Sequence, residues 1–230
     1  MLDWINHTFP NAAQQWPDFW TATLETLEMT VIAAIIAGIV GILIGIALLL
    51  TGDEGLTPNK IVYVLLDKIV DIGRSIPFII LLAVIMPFTR LLVGTSIGTT
   101  AVTVPIVIGT IPFFARQVQN VLLEVSPGVI EAAEAMGTSN LDIIFRVYLK
   151  EGLVSLLRAG NFTVINLIGL TAMAGIVGGG GLGNMAVQQG YQRGATDVTL
   201  LSLIFTLVIV FVTQLLGNLA IRLVTRGRKL

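Results

Sequence analysis

Met29 to Leu50 reads "MTVIAAIIAGIVGILIGIALLL", 22 residues without a charge. At 1.5 Å of rise per residue, such a stretch spans the hydrocarbon core of a bilayer as a helix. Ala33, Ala37, Gly41 and Gly45 recur every fourth residue, which gives the helix one narrow face of small side chains. That is the pattern that lets membrane helices approach closely. The two acids, two glycines and proline of residues 52–58 then end it.

The composition of the whole chain agrees with a membrane protein. Of 230 residues, 55% are hydrophobic and only 12% charged, about half the charged share of a soluble domain; the mean hydropathy is +0.91. Four more apolar blocks follow, at about 60–88, 93–118, 152–177 and 198–221. In the second, Pro77 and Pro87 predict a kink or an end, and Lys68, Asp71 and Arg74 must face the cytoplasm or other helices. The expected fold is an all-α polytopic membrane protein with five transmembrane helices and a permease domain over 29–221. An external interfacial segment over 1–28 precedes it, and a basic cytoplasmic tail over 222–230 follows. Trp4, Phe9, Trp16, Phe19 and Trp20 suit a membrane–water interface.

Charge sets the orientation. With the N-terminus outside, eleven of the thirteen Lys and Arg lie on the inner side, leaving only Arg90 and Arg193 outside. The positive-inside rule selects N-out, C-in. The formal charge of −1 gives no hint of nucleic acid, and the absence of Cys excludes disulfides and thiolate metal sites. The single His7 has no partner ligands, so no metal is expected. No signal peptide is expected either, because the first Lys or Arg is Lys60 and the first apolar block is too long.

This topology places "SPGVIEAAEAMGTSN", Ser126 to Asn140, in a cytoplasmic loop over 124–148 between spans three and four. Leaving Glu131 and Glu134 in hydrocarbon would cost about 3 kcal/mol each. The stretch reads as a helix of about ten residues. Ser126 is the expected cap, Pro127 the first helical residue and Gly137 the left-handed stop. Ser139 with Asp142 starts the next helix. Val129, Ala133 and Met136 form the expected apolar stripe. The segment either simply joins two spans or docks a cytosolic partner; the small residues Ala132, Ala133 and Ala135 allow close approach.

"EAAEAMG", Glu131 to Gly137, resembles the EAA loop of ATP-binding-cassette importer permeases. "RSIPFIILL" (74–82), "PFTRLLVGTSIG" (87–98) and "GGGGLGNMAVQQGY" (178–191) are similar to the methionine-importer branch. Lys150 stands where the family pattern has proline. The resemblance implies import of methionine or a closely related amino acid through a multi-pass bacterial cytoplasmic membrane protein. It implies a second copy of this chain, two copies of a cytoplasmic ATP-binding-cassette ATPase and an external substrate-binding protein as partners. In that family the loop's helix docks in the ATPase, which gives Glu131, Ala132, Ala133, Met136 and Gly137 a coupling role. The chain itself is expected to be no enzyme and to need no cofactor. The alternative is a secondary transporter or channel working without an ATPase.

Other motifs carry less. Gly178 to Gly183 formally holds G-x-G-x-x-G, but a membrane span precedes it where a dinucleotide site needs a strand. Asn184 replaces the lysine of a phosphate loop. Gly178, Gly179, Gly180 and Gly181 mark either an outer gate or a glycine-rich helix end. Asn166, Thr171 and Met173 either line a translocation path or bond to neighbouring helices. Arg90 and Arg193 either meet acids of a binding protein or lie in water. No catalytic constellation is visible.

Overall fold

A computed structural model describes residues 9–227, with side chains to residue 225; Trp4, His7 and the last three residues lie outside the described part. The described residues are helical and form no strand. The elements that matter are α1 (Pro10–Gln14), α2 (Trp16–Thr51), α3 (Lys60–Ser75), α4 (Phe78–Val93), α5 (Thr99–Leu123), α6 (Pro127–Ala135), α7 (Leu153–Gly175), α8 (Gly181–Asn184) and α9 (Thr196–Gly227). Four of them, α2, α5, α7 and α9, are long and apolar enough to cross a membrane, and the bent pair α3–α4 makes a fifth crossing if it counts as one broken span.

Two expected boundaries move. The span expected over 60–88 breaks at Ile76–Pro77, as Pro77 predicts, because proline disfavours helical backbone in the residue before it, and its second half runs on to Val93. Pro87, by contrast, sits inside α4. The expected surface segment over 1–28 is also different. From Trp16 onward it is part of α2, and Phe19 is fully buried. Trp16, Phe19 and Trp20 fall at helical spacing and meet Phe205 of α9 with ring centroids 5.9, 5.6 and 6.0 Å apart. Phe19 thus serves helix packing, while Trp16 and Trp20 touch the same ring and stay exposed.

The chain divides into two compact units. The first comprises the chain up to Ile36, Ile76–Gly109 and Val164–Gln214. Its core holds Phe19, Ala22, Ile168, Leu182, Met185 and Val198. Asp197 ties α1 to the start of α9, accepting from the Asn11 amide at 2.8 Å, from Asn11 Nδ2 at 3.0 Å and from the Ala12 amide at 3.1 Å. These bonds satisfy amides at an N-terminus that has no intrahelical partner for them.

The second comprises Ala37–Ser75, Thr110–Thr163 and the chain from Leu215. Here the small face of α2 does what its spacing predicts. A Cβ on Gly45 would sit 2.7 Å from the Ala115 carbonyl oxygen and 2.7 Å from Val118 Cβ, and one on Gly41 2.9 Å from the Phe114 ring. Both contacts are closer than a methyl group tolerates, so α2 and α5 pack backbone to backbone only because these residues are glycine. Ile61, Leu65, Ile69 and Ile72 form an exposed apolar stripe on α3, as a helix facing hydrocarbon requires. Several hydroxyls inside the spans bond to their own helices: Thr26 donates to Ala22 O at 2.9 Å and Thr163 to Ala159 O at 2.8 Å. Water is absent there, so the alternative is an unmet donor.

Candidate functional site: the capped helix and its polar surroundings

Helix α6 begins at Pro127 with Ser126 at the cap position, but the Ser126 side chain makes no capping bond. The far end is better fixed. Gly137 has φ +75°, its amide donates to Glu134 O at 2.8 Å, and the Thr138 amide donates to Ala133 O at 3.1 Å. This pair of bonds closes a Schellman motif, and glycine takes the left-handed position without a Cβ clash. Ser139 then starts the next helical run. Its Oγ accepts from the Asp142 amide at 3.2 Å and donates to Asp142 Oδ2 at 2.8 Å.

The face that α6 turns inward is not the expected stripe. Ile130 and Ala133 are buried, whereas Val129 is 45% and Met136 78% exposed. Ile130 and Ala133 join a cluster with Leu49, Phe114, Val118, Leu122, Ile143 and Tyr148. The reason is register: the neighbours meet the i, i+3 pair Ile130–Ala133, and that rotation turns Val129 and Met136 out. Burying Ile130 contributes about 2 kcal/mol to holding α6 in place. Glu131, Ala132, Glu134, Met136 and Gly137 are exposed. Four of the five candidate residues therefore share an outward surface, while Ala133 is an anchor.

A cavity of about 780 Å³ opens beside α6, lined by Asp53, Glu54, Tyr63, Gln119, Glu131, Glu134 and Tyr148 among others. Tyr148 is buried, and burial pushes its hydroxyl above the usual tyrosine range; the negative charge of Glu134 adds to the shift. The run from Ile143 to Tyr148 is π-helical, and Leu149–Glu151 continues it as α-helix. Lys150 lies within that helical continuation.

The sequence reading did not pair the ionic network behind this cavity. Arg116 of α5 donates through Nη2 to Asp67 at 2.6 Å and to Asp71 at 2.8 Å, and through Nη1 to Gln119 at 2.7 Å. Asp67 and Asp71 are one helical turn apart on α3, so both reach one guanidinium. That spacing was the available signal; the partner on α5, 45 residues further on, was not readable.

The remaining candidates do not form one group. On α7, Asn166 and Met173 are exposed on one face, but Thr171 is buried and donates to Ile168 O at 2.8 Å. Thr171 therefore does not share the surface of the other two. The glycine run is a pinned turn. Gly178, Gly180 and Gly181 have φ of +81°, +75° and +70°. The Gly181 amide donates to Glu25 Oε2 at 2.6 Å and the Leu182 amide to Thr26 Oγ1 at 2.9 Å. Glu25 is a residue that sequence reasoning missed, since nothing in its surroundings marks a partner 156 residues away. Among the described residues no group of acids and histidine could hold a metal ion.

Comparison with known proteins places this arrangement. The chain is 45% identical over 203 residues to the probable D-methionine transport system permease protein MetI of Pasteurella multocida (strain Pm70), covering 88% of this chain and 94% of that protein. It is 43% identical over 218 residues to the methionine import system permease protein MetP of Bacillus subtilis (strain 168), covering 95% and 97%. Its structure is similar to a subunit in an inward-facing conformation of the MetNI methionine ABC transporter, with a TM-score of 0.89 and 40% identity over 92% of this chain and 97% of the other. Residues 41–229 match the model of the binding-protein-dependent transport system inner membrane component family. The chain belongs to that family of multi-pass inner-membrane permeases.

Proposed function

We propose that this chain is the membrane-spanning subunit of an ATP-driven importer for methionine or a closely related amino acid. It forms the path, and ATP hydrolysis belongs to a separate subunit. The working assembly is two copies of this chain, two cytoplasmic ATPase copies and an external binding protein. The names of the relatives and the likeness to the MetNI transporter support the substrate and the ATPase.

One observation carries the coupling assignment: α6 is anchored through Ile130 and Ala133 and offers Glu131, Ala132 and Met136 outward. A partner that grips this surface moves α6 as a body, since Gly137 and Ser139 fix its far end. The charge distribution supports an N-out, C-in topology with α6 in the cytoplasm. ATP binding closes the ATPase pair, α6 follows, and the path changes the side to which it is open. The ATPase must interact differently with the two states, or no shift occurs. Asn166 and Met173 face the path in this reading, Thr171 supports from within, and Gly178–Gly181 form a fixed outer rim.

The test is replacement of Glu131 by Arg, with uptake and ATPase co-purification measured on the whole complex. Both fall if α6 is the docking element, and normal values for both remove the assignment. Accumulation of methionine against a gradient by this chain alone in liposomes would overturn the ATP-driven reading in favour of a secondary transporter.

A further inference from the structure

In the second unit, helix α5 contacts both α6 and α3, and it offers each a different face. Phe114, Val118 and Leu122 follow one another at four-residue spacing and join the apolar cluster that holds Ile130 and Ala133 of α6. Pro112, Ala115, Arg116 and Gln119 recur on another side of α5, and there α3 has little to hold on to. Val70 is its one buried residue and packs with Leu48 and Ala115. Gly73 lies so close to Pro112 that a Cβ would sit 2.8 Å from Pro112 Cγ. Ile61, Leu65, Ile69 and Ile72 are exposed. Apolar contact is non-directional, so these few contacts let α3 slide and turn against α5. The ionic network does not. Asp67 and Asp71, one helical turn apart, both accept from Arg116 Nη2, at 2.6 and 2.8 Å. Bonds from one cation to two points on a helix fix both its height and its rotation. Nη1 donates to Gln119 at 2.7 Å, which holds the guanidinium against its own helix. The Arg116 side chain is largely buried, where such bonds are stronger than in water.

We propose that Arg116 is a positioning residue for transport: it makes α3 follow α5 when the ATPase displaces α6. The inference rests on the coupling role proposed for α6 and adds the onward route. Displacement passes from Ile130 and Ala133 to α5 through Phe114, Val118 and Leu122, and from α5 to α3 through one cation. Helix α3 is half of a candidate span, so its place bears on the path. It ends at Ser75, and the non-helical link at Ile76–Pro77 lets it move as a body. Without Arg116 the apolar contacts still hold α3 near α5, but its height and rotation no longer depend on where α6 stands. Uptake therefore needs the network for a reason other than stability.

The experiment uses the whole complex of this chain, its ATPase and the external binding protein in proteoliposomes, with methionine uptake and ATP hydrolysis measured on one sample. Arg116→Met with Asp67→Leu removes the clamp without leaving Asp67 charged, and a melting curve reads its stability. This variant keeps the ATPase bound and hydrolysing, while methionine moved per ATP falls about tenfold, an ordinary size for coupling between sites. Asp71→Asn alters a half-exposed position and loses one of the two fixing points; it spares the fold and lowers methionine per ATP about threefold. The chain holds no cysteine, so Ser75→Cys puts a single thiol at the exposed end of α3. Its labelling rate with N-ethylmaleimide changes when a non-hydrolysable ATP analogue is added, and no longer changes once Arg116→Met and Asp67→Leu are present. Wild-type methionine per ATP in both variants overturns the proposal, and so does labelling that responds to nucleotide equally with and without the clamp. Loss of the bound ATPase together with uptake overturns it too, and makes Arg116 a folding or docking residue. A wild-type complex without ATP-driven uptake sinks the transport reading and this inference with it, whereas normal coupling in the wild type and in the variants sinks this inference alone.

Discussion

Arg116 and Asp67 meet at 2.6 Å, with their side chains only 15% and 22% exposed. The guanidinium is shared with Asp71 at 2.8 Å, while its Nε has no partner among the described residues. One cation thus holds two acids of α3; without it Asp67 would lie unpaired against α5, while the half-exposed Asp71 keeps Arg74 at 3.7 Å. A half-buried pair of this kind costs more to break than to replace.

Arg116→Met therefore lowers stability by about 2–4 kcal/mol, because it strands the mostly buried Asp67 carboxylate. The double change Arg116→Met, Asp67→Leu recovers most of that loss. Thermal melts of the detergent-solubilised chain distinguish the two; a single variant as stable as the wild type would show that the network holds nothing.

Gly45 and Gly38 lie on the same helix and respond oppositely. Gly45→Ala drives a methyl into the Ala115 carbonyl and Val118, and costs about 1–3 kcal/mol by overpacking. A Cβ at Gly38 meets nothing within 4 Å, so Gly38→Ala is neutral or gains up to about 1 kcal/mol from helix propensity. Melting temperatures of the two variants in one detergent read the contrast. Their reversal would show that α2 does not pack on α5 through its small face.

Much of this was legible beforehand for physical reasons. The four-residue recurrence Ala33–Ala37–Gly41–Gly45 has one structural use in a bilayer, and Gly41 and Gly45 serve it. The Pro127 start and Gly137 stop of α6 are local backbone chemistry and were readable. What failed depended on the partner surface. Val129, Ala133 and Met136 suit helical spacing as well as Ile130 and Ala133 do, and only the position of Leu49, Phe114 and Tyr148 chooses between them. Phe19 reads as an interface aromatic in the sequence because its burial against Phe205 is non-local. Thr171 is as polar on paper as Asn166; its bond back to Ile168 O is local helix chemistry, and only the fold buries it.

Gly137→Ala tests the far cap. A Cβ there meets nothing within 4 Å, so the cost comes from the left-handed backbone alone, φ +75°. We expect a loss of about 1–2 kcal/mol, with faster amide exchange confined to residues 133–139. Exchange unchanged in that stretch would show that the Schellman bonds do not hold the end of α6.

Tyr148 gives a pH dependence with a defined sign. Its hydroxyl titrates above the ordinary tyrosine value in the folded chain, through burial and then Glu134. The contribution of the neutral hydroxyl is complete below about pH 10, the unfolded value, and is lost as pH rises through the folded one. Melting temperature should fall above about pH 10, and Tyr148→Phe should flatten that fall. An identical alkaline slope in the variant would assign the loss elsewhere.

The closed cap at Gly137 has a mechanical consequence. A frayed helix end would absorb an external load by local unwinding, as slack does in a rope. With Thr138 and Gly137 bonded back to Ala133 and Glu134, such compliance is small, and displacement at Met136 is conveyed to Ile130 and on to Leu122 and Tyr148. Stiffness at one glycine thereby sets how faithfully a pull on the exposed side is transmitted to the interior.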